Sequence, residues 1–444
     1  MSADHRWSLI PVLALLLAAC ATQGSPETTQ AATSGDGAAP EGDAITIAAS
    51  LPLTGGFSVP GQKHQEGFQL CVDLINEGGG LLGRPVELLV SDNRSDTETV
   101  VNQYERFINV DNAELILGTF SSLLTFPSSV ISEQAQKVYI SPSDGSLVSF
   151  SRDFQFLFDI QQSARQFIGQ TPVDAIQYYR EQGVIPEGDL QTVAVVNADD
   201  FFANIITSGL LGEEVDIPGG DPVDLAPGSL SDSGLEVVFR ETWPEGFTDW
   251  TGIASRLKEA DADALFTQVA SDTDGLDLIR GLQVADYQPK FVYMSTGTAD
   301  EFRDDLQGAA DGVTMHTAWH ATATWEGVLN GEAFSNADFI AQFEDLYGRT
   351  PNEDEAIPFA ACQVLEQGVR AVGSTDNVAI RDWLAGRTAD DPARTILGDL
   401  YWDERGLVQG RHFLLAQWQG DELGFVFPPE DFEVSELAYP KPEW

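Results

Sequence analysis

The sequence predicts an α/β protein with two lobes of similar construction. From residue 44 onward, short runs rich in β-branched residues alternate with longer amphipathic segments, and a second series of the same kind begins near residue 190. Such alternation is typical of parallel strands joined by right-handed helical crossovers. A hydrophobic content of 43% in a chain of 444 residues is enough for two sizeable cores.

The first series predicts the first lobe, an α/β sandwich. Its strands are predicted at 45–48, 86–90, 115–117 and 138–140, and its helices at 62–77, 97–108 and 125–136. In the first of these helices Phe68, Cys71, Val72 and Ile75 have the spacing of one helix face. That face is expected to pack against the sheet.

The second series predicts the second lobe. Its strands are predicted at 192–196, 235–239, 264–268 and 290–293, and its helices at 202–211 and 250–259. Helices at 338–347, 354–372 and 378–384 follow, and then strands at 399–402 and 412–418. Residues 212–234, rich in Gly, Pro, Asp and Ser, are interpreted as a surface insertion. In open α/β sheets ligands bind at the carboxyl ends of strands, so two facing lobes predict a ligand in the cleft between them.

The N-terminus predicts export. The apolar run at 10–17 is shorter than the roughly 20 residues that span a bilayer and is typical of a secretory signal. It ends in Leu17-Ala18-Ala19-Cys20, which resembles the lipobox of bacterial lipoproteins and implies a signal peptide at 1–19 and a diacylated Cys20. The alternative is an ordinary signal peptide with an incidental cysteine. Residues 20–43 contain no aromatic residue and are predicted to form a flexible acidic linker.

The charge excludes some partners. Asp and Glu number 70 against 23 Lys and Arg, giving a formal net charge of -47. Nucleic acid and anionic lipid headgroups need basic patches, so neither is an expected partner. The excess of acidic residues predicts a halophilic protein, because salt would screen the repulsion between its negative charges. The alternative is a merely acidic surface.

Beyond Cys20 the chain has two cysteines, Cys71 and Cys362, each in a predicted helix. Two cysteines do not make a disulfide framework, and we expect buried free thiols. One bond remains open as an alternative, because an oxidising compartment would permit it.

Several motifs lack the context that their chemistry requires. The glycine-rich segment 78–83 follows a helix and leads into a strand, the reverse of a dinucleotide site, and is interpreted as a helix C-cap and turn. His316 and His320 lie four apart, but 313–319 is predicted as strand or loop, which disfavours a metal site. With no Gly-x-Ser-x-Gly elbow, the chain is not expected to be an enzyme, and no cofactor is predicted.

Polar residues follow two neighbouring strands of the first lobe. Ser121 and Ser122 come after the strand at 115–117, and Ser143 and Asp144 after the strand at 138–140. Hydroxyls and free backbone N–H groups at the start of a following helix can hold a carboxylate. The alternative is that these residues serve only as helix N-caps, which serine favours.

Taken in order, seven segments resemble the type I periplasmic binding proteins of the branched-chain amino-acid type, which are substrate-binding components of ABC importers. These segments are 50–55 (SLPLTG), 67–84, 91–96, 116–122, 140–143, 291–295 and 417–419. The resemblance implies two Rossmann-like lobes, joined by a three-strand hinge, that close on a ligand. It also implies that lobe 1 comprises 45–160 plus 320–395, and lobe 2 comprises 161–319 plus 396–444.

The resemblance also implies a binding site. In relatives the ligand carboxylate is held by the hydroxyl at Ser122 and by the loop that includes Ser143 and Asp144, and an aromatic residue matched by Phe201 or Phe202 closes over the side chain. The acid that pairs with the ligand ammonium in relatives falls near Ser295 or Thr296, where this chain has none. Asp144 or Asp200 is then the available anion, facing a cation, an amide or a polyol.

The function implied is that of a monomeric extracytoplasmic lipoprotein that captures a small polar, amino-acid-like molecule and presents it to an ABC permease in the membrane. A sensor of the same fold, coupled to a signalling partner, is the first alternative. A surface hydrolase is the second, and the missing nucleophile disfavours it.

Overall fold

The computed structural model describes residues 40–161, 169–217, 222–410, 413–429 and 434–444. The predicted signal peptide, the anchor residue Cys20 and most of the predicted linker lie outside the described residues. Within those ranges no helix combines the length and the apolar character that a membrane span requires.

The first sheet has five parallel strands in the order β2-β1-β3-β4-β5, flanked by helices α1 to α3. Its elements are β1 (Ile45–Leu51), α1 (Ser58–Glu77), β2 (Val86–Asp92), α2 (Thr97–Asn109), β3 (Leu115–Leu117), α3 (Ser122–Gln134), β4 (Tyr139–Ser141) and β5 (Leu157–Asp159). The predicted elements of this lobe are confirmed within a few residues. The three-residue β5 was not predicted from the sequence.

The second sheet has seven strands in the order β19-β18-β12-β11-β10-β6-β9. Strand β18 pairs antiparallel with both β12 and β19, and the other pairs are parallel. Chain order gives α4 (Gln170–Glu181), β6 (Thr192–Ala198), α5 (Phe201–Leu211), β7 (Glu214–Val215), β8 (Val223–Asp224), β9 (Glu236–Trp243), α6 (Trp250–Ala260), β10 (Ala264–Gln268), α7 (Asp272–Ala285), β11 (Phe291–Met294), α8 (Asp300–Leu306) and β12 (Val313–Thr317).

The remaining chain returns to the first sheet and then to the second. Its elements are β13 (Glu326–Leu329), β14 (Glu332–Ser335), α9 (Asn336–Tyr347), α10 (Glu353–Val372), α11 (Asn377–Ala385), β15 (Ala393–Thr395), β16 (Gly398–Trp402), β17 (Val408–Gln409), β18 (Leu414–Gln419) and β19 (Glu422–Phe427). Helix α10 packs against α1, and Trp402 of β16 packs edge-on against Phe158 of β5. Strand β18 then pairs with β12. The residue boundaries of the two lobes stay predictions.

The predicted surface insertion at 212–234 is only partly a surface feature. It contains the short antiparallel pair β7 and β8, and the side chains of Ile217, Leu225 and Leu230 are buried in the larger hydrophobic core. These three apolar residues anchor the segment. Its Gly and Pro content concealed this anchoring in the sequence.

Cys71 and Cys362 form a disulfide bond, so the prediction of free thiols is wrong. The two residues are 291 positions apart in sequence, and their Cα atoms lie 6.3 Å apart because α1 and α10 pack side by side. Helix-face patterns show which side of each helix is buried but not which helix is its neighbour. The bond closes a long loop and belongs to an oxidising compartment.

The glycine-rich segment 78–83 forms the predicted helix end. Gly78 is the C-cap residue of α1 and donates its N–H to the carbonyl of Leu74 at 3.0 Å. Gly80 has φ +78°, and a Cβ added there would lie 2.1 Å from the carbonyl oxygen of Arg84. A side chain at this position is therefore excluded.

Candidate functional site

Unpartnered buried polar atoms gather where the strands of both sheets end. Native proteins satisfy most buried polar groups, so such a cluster marks a place built to contact polar molecules. The first edge, at the carboxyl ends of β3, β4 and β5, carries Ser121 Oγ, Ser122 Oγ, Thr125 Oγ1, Ser141 Oγ, Asp144 Oδ2, Ser149 Oγ and Asp159 Oδ2. The second edge, at the ends of β10 and β11, carries Thr267 Oγ1, Thr296 Oγ1 and both amide atoms of Gln268.

Ser121 and Ser122 begin helix α3. Ser121 occupies the N-cap position, yet its side chain makes no capping hydrogen bond, so its role as a mere cap is excluded. The first amides of a helix have no intrahelical acceptor and lie at the positive end of its dipole. Together with two unpartnered hydroxyls, this helix start is suited to an anionic group such as a carboxylate.

His64 on α1 determines the hydrogen-bonding role of Ser143. The Nδ1 atom of this fully buried histidine lies 2.9 Å from the carbonyl oxygen of Pro60, and its Nε2 lies 2.7 Å from Ser143 Oγ. A carbonyl only accepts, so Nδ1 carries the hydrogen. Burial lowers the pKa of His64 to about 3, so Nε2 carries none at neutral pH. Ser143 therefore donates its hydroxyl hydrogen to Nε2 and has only lone pairs left for another partner.

Asp144 is fully buried beside this serine. Its Oδ1 accepts hydrogen bonds from the backbone N–H of Ser146 at 3.0 Å and from the Ser146 hydroxyl at 2.7 Å, whereas Oδ2 has no partner. Burial raises the pKa of Asp144. The hydroxyls of Ser149, Ser146 and Ser122 oppose this effect.

Asp159 ends β5 and lies in register with Ser141 of β4. It is fully buried, its Oδ1 accepts the N–H of Gln161 at 3.2 Å, and its Oδ2 has no partner. Burial and the neighbouring charge of Asp144 raise its pKa well above the ordinary range. Sequence reasoning missed Asp159 because it missed β5; an acid at the end of the apolar segment 156–158 was the available signal.

On the second edge the predicted residues Ser295 and Thr296 differ. The Ser295 hydroxyl donates to the carbonyl of Val269 at 2.7 Å and accepts the Val269 N–H at 2.8 Å, so it holds two loops together. The Thr296 hydroxyl is unpartnered. Thr267 and Gln268, which the sequence analysis did not single out, have unpartnered polar atoms in the last two positions of β10.

Helix α5 supplies the predicted aromatic residues. Asp200 is its N-cap and accepts the N–H of Ala203 at 2.8 Å, so one carboxylate oxygen is used inside the helix. The Phe201 ring packs against Phe126 of α3 with centroids 5.5 Å apart, and this contact joins the two edges. Phe202 is half-buried beside it.

A second contact joins the lobes near helix α8. Lys63 Nζ on α1 lies 3.7 Å from Glu301 Oε2 on α8. Glu353, the first residue of α10, accepts hydrogen bonds from the hydroxyls of Thr298 and Thr317, both at 3.0 Å. The cleft is therefore bridged at both sides, by α3 with α5 and by α1 with α8.

Two other features do not enter this site. His316 lies on β12, in agreement with the prediction of a strand or loop at this position. Its Nδ1 lies 3.1 Å from the hydroxyl of Tyr293. Nowhere in the described ranges do three or more His, Cys, Asp or Glu residues group as metal ligands would. A cavity of about 220 Å³ lies between β5, α11 and β16 and includes none of the residues of the two edges.

Comparison with known proteins shows close agreement in fold. A family profile described as "Periplasmic binding protein" matches residues 44–201 and 207–421. The Leu/Ile/Val-binding protein homolog 7 of Brucella suis is 23% identical over 410 residues, covering 91% of this chain and 96% of the relative. The leucine binding protein LivK of Thermotoga maritima superposes with a TM-score of 0.71 at 19% identity, covering 87% of this chain and 100% of that structure. LivJ of Streptococcus pneumoniae, solved with isoleucine, superposes with a TM-score of 0.69 at 18% identity, covering 90% of this chain and 100% of that structure.

Proposed function

Because the chain belongs to the periplasmic binding protein family, as a substrate-binding protein of the branched-chain amino-acid transporter type, we propose that it captures a small polar, amino-acid-like ligand between its lobes and delivers it to an ABC permease. Its family consists of substrate-binding proteins and not of enzymes. The proposed ligand residues are those predicted from the sequence except Ser295, whose hydroxyl is bonded to Val269. They are Ser121, Ser122, Ser143, Asp144, Phe201, Phe202 and Thr296, together with Asp159, Thr267 and Gln268.

The observation that carries this proposal is the gathering of unpartnered buried polar atoms at both facing edges. A sheet edge that served only the fold would leave few of its buried hydroxyls, amides and carboxyls without partners. Each unpartnered group represents a cost of about 1–3 kcal/mol that a ligand's hydrogen bonds would offset. Hinge closure around such a ligand then satisfies both edges at once.

A thermal-shift screen of amino acids, amides, short carboxylates and polyols at high salt tests the proposal. We expect at least one compound to raise the melting temperature, with the shift growing as its concentration increases. Ser122→Ala should weaken that compound's binding about tenfold, because a buried hydrogen bond to the ligand is lost. Ser231→Ala, on an exposed turn, is the matched control and should bind like the wild type. No stabilisation by any compound would contradict the proposal.

Attachment to the membrane through Cys20 is part of the same proposal. The family works outside the cytoplasm, and the disulfide between Cys71 and Cys362 belongs to an oxidising compartment. A tether of about two dozen residues would hold a monomeric receptor near its permease at high effective concentration. Palmitate labelling of the wild type, and its absence in Cys20→Ser, is the expected result. An unlabelled wild type would point to a simple secreted form.

The proposal also includes adaptation to salt. With a net charge of -47, self-repulsion destabilises the folded state in dilute buffer, and molar salt screens it. We expect the melting temperature to rise between low and molar potassium chloride. A melting temperature independent of salt would contradict this part alone.

A further inference from the structure

Resting on the proposed function, we infer that the first edge of the cleft holds a protonated nitrogen of the ligand, an ammonium or guanidinium, between the free carboxylate oxygens of Asp144 and Asp159, with Ser143 as a third acceptor. The ligand class is therefore a small organic cation or zwitterion. A simple carboxylate without a positive nitrogen is excluded.

The tautomer of His64 carries the first step. Since the Ser143 hydrogen is committed to Nε2 of His64, Ser143 cannot donate to a ligand carboxylate. It can only accept, which suits an N–H group. His64 is a positioning residue in this arrangement, because it acts on the ligand through the serine.

The two carboxyl groups carry the second step. Asp144 and Asp159 both have 0% exposure, and each uses one oxygen in its own loop while the other oxygen has no partner. Within the described ranges, neither has a Lys, Arg or His nitrogen within 4.0 Å to form an ion pair. Buried carboxylates are normally paired, so a cationic ligand is the missing partner that their chemistry requires.

The guanidinium of Arg152 does not fill that role. Arg152 lies close enough to interact electrostatically with Asp144, but its guanidinium donates to the carbonyl of Phe126 at 2.8 Å and to the hydroxyl of Ser129 at 3.1 Å. It also stacks 4.0 Å from the centroid of the Phe126 ring. Arg152 is thus committed to helix α3.

The side chains of Asp144 and Asp159 suit an ammonium better than a metal ion. Calcium takes six to eight oxygen ligands, and no group of three or more acidic, His or Cys residues is found in the described parts of the chain. The helix start at Ser121 and Ser122, near Asp144, would receive the carboxylate of a zwitterion. Both charged ends of an amino acid then lie on the first edge.

Matched probe trios test the inference by calorimetric titration of the full chain. Each trio shares one skeleton: leucine with isopentylamine and isocaproate, arginine with agmatine and guanidinovalerate, and serine with ethanolamine and hydroxypropionate. In at least one trio we expect the amino acid and the amine to bind. The corresponding acid should not bind, except for guanidinovalerate, which keeps a cation.

Asp144→Asn and Asp159→Asn each keep the oxygen that the loop uses and replace the free oxygen by an N–H donor. Each variant should weaken binding of the amine about 10- to 100-fold, because one charge-assisted hydrogen bond to the ligand is lost. The matched control is Asp153→Asn, an exposed acid on the same connection at φ 52°, a conformation that asparagine tolerates; it should stay within twofold of the wild type.

The outcomes separate the two proposals. If isocaproate or hydroxypropionate binds as well as its amino acid, or if both folded Asn variants bind the amine like the wild type, the inference fails while the receptor function stands. Stabilisation by calcium chloride alone also overturns it. If no member of any trio binds the wild type, the receptor function fails and the inference fails with it.

Discussion

The two facing edges of the cleft are built from the same strand-to-loop connections but carry different chemistry. The first edge combines a helix start with two buried acids, Asp144 and Asp159. The unpartnered atoms of the second edge belong to neutral groups, Thr267, Gln268 and Thr296, while its partly buried acids, Asp200 and Asp272, lie at the starts of α5 and α7. Under the proposed function, the free carboxyl oxygens of the first edge would recognise the ligand nitrogen, and the unpartnered hydroxyls and amide of the second edge would close over the ligand.

The largest expected effect separates the two edges by removing both acids. The double variant Asp144→Asn and Asp159→Asn should weaken binding of the best amine probe more than about 100-fold, because no anion remains to pair with the nitrogen. Titration calorimetry measures the affinity, and circular dichroism verifies the fold. Loss of less than tenfold would place the charge recognition elsewhere.

A smaller effect is expected on the second edge. Gln268→Leu removes an amide whose two polar atoms have no protein partner. We expect ligand affinity to fall about tenfold, because one or two neutral hydrogen bonds to the ligand are lost. Both the amine and the amino acid should lose affinity equally, since the amide of Gln268 carries no charge. A loss confined to the amine would contradict the division between the edges.

A pH titration sharpens the comparison further. The pKa values of Asp144 and Asp159 are raised by burial, so their ionised fraction, and with it amine affinity, should increase as pH rises, by at most about tenfold per pH unit for each proton released. Of the other groups facing this pair, Arg152 stays charged, and His64, with a pKa lowered to about 3 by burial, stays neutral above about pH 4.

The ligand-free protein should show the opposite trend. A carboxyl whose pKa is raised by folding contributes stability below its unfolded pKa and loses it as pH rises through the folded pKa. The melting temperature of the wild type, relative to the double Asn variant, should therefore fall with rising pH while its amine affinity increases. Parallel trends in both quantities would exclude Asp144 and Asp159 as the source.

The smallest effect on affinity is expected at Ser295. Its hydroxyl joins two loops through Val269, so Ser295→Ala should cost about 1–3 kcal/mol in free energy of unfolding and change ligand affinity less than twofold. Chemical denaturation and calorimetry measure the two quantities separately. A large affinity loss with unchanged stability would restore Ser295 to the binding site.

The sequence predicted most of the fold, because long periodic segments such as α10 report their buried face directly. It failed where the structure depends on which elements are neighbours. The disulfide between Cys71 and Cys362 follows from the packing of α1 on α10, and Asp159 joins the site only because β5 pairs with β4. Local patterns contain no record of such distant contacts.

The position of the candidate site was predictable from the sequence, but the hydrogen-bond donor or acceptor role of its side chains was not. Strand ends located Ser121, Ser122, Ser143 and Asp144, and the structure finds them buried at one edge. The direction of the Ser143 hydrogen bond depends on His64, which lies 79 residues earlier, and that direction turns an expected donor into an acceptor. Spacing cannot show the tautomer of a distant histidine.

A crystal structure with the best-binding amine or amino acid tests the central claim most directly. The account predicts the ligand nitrogen within about 3.2 Å of Asp144 Oδ2 or Asp159 Oδ2, and any ligand carboxylate at the start of α3. A ligand whose nitrogen faces Thr267 and Gln268, with its carboxylate beside Ser143, would contradict it.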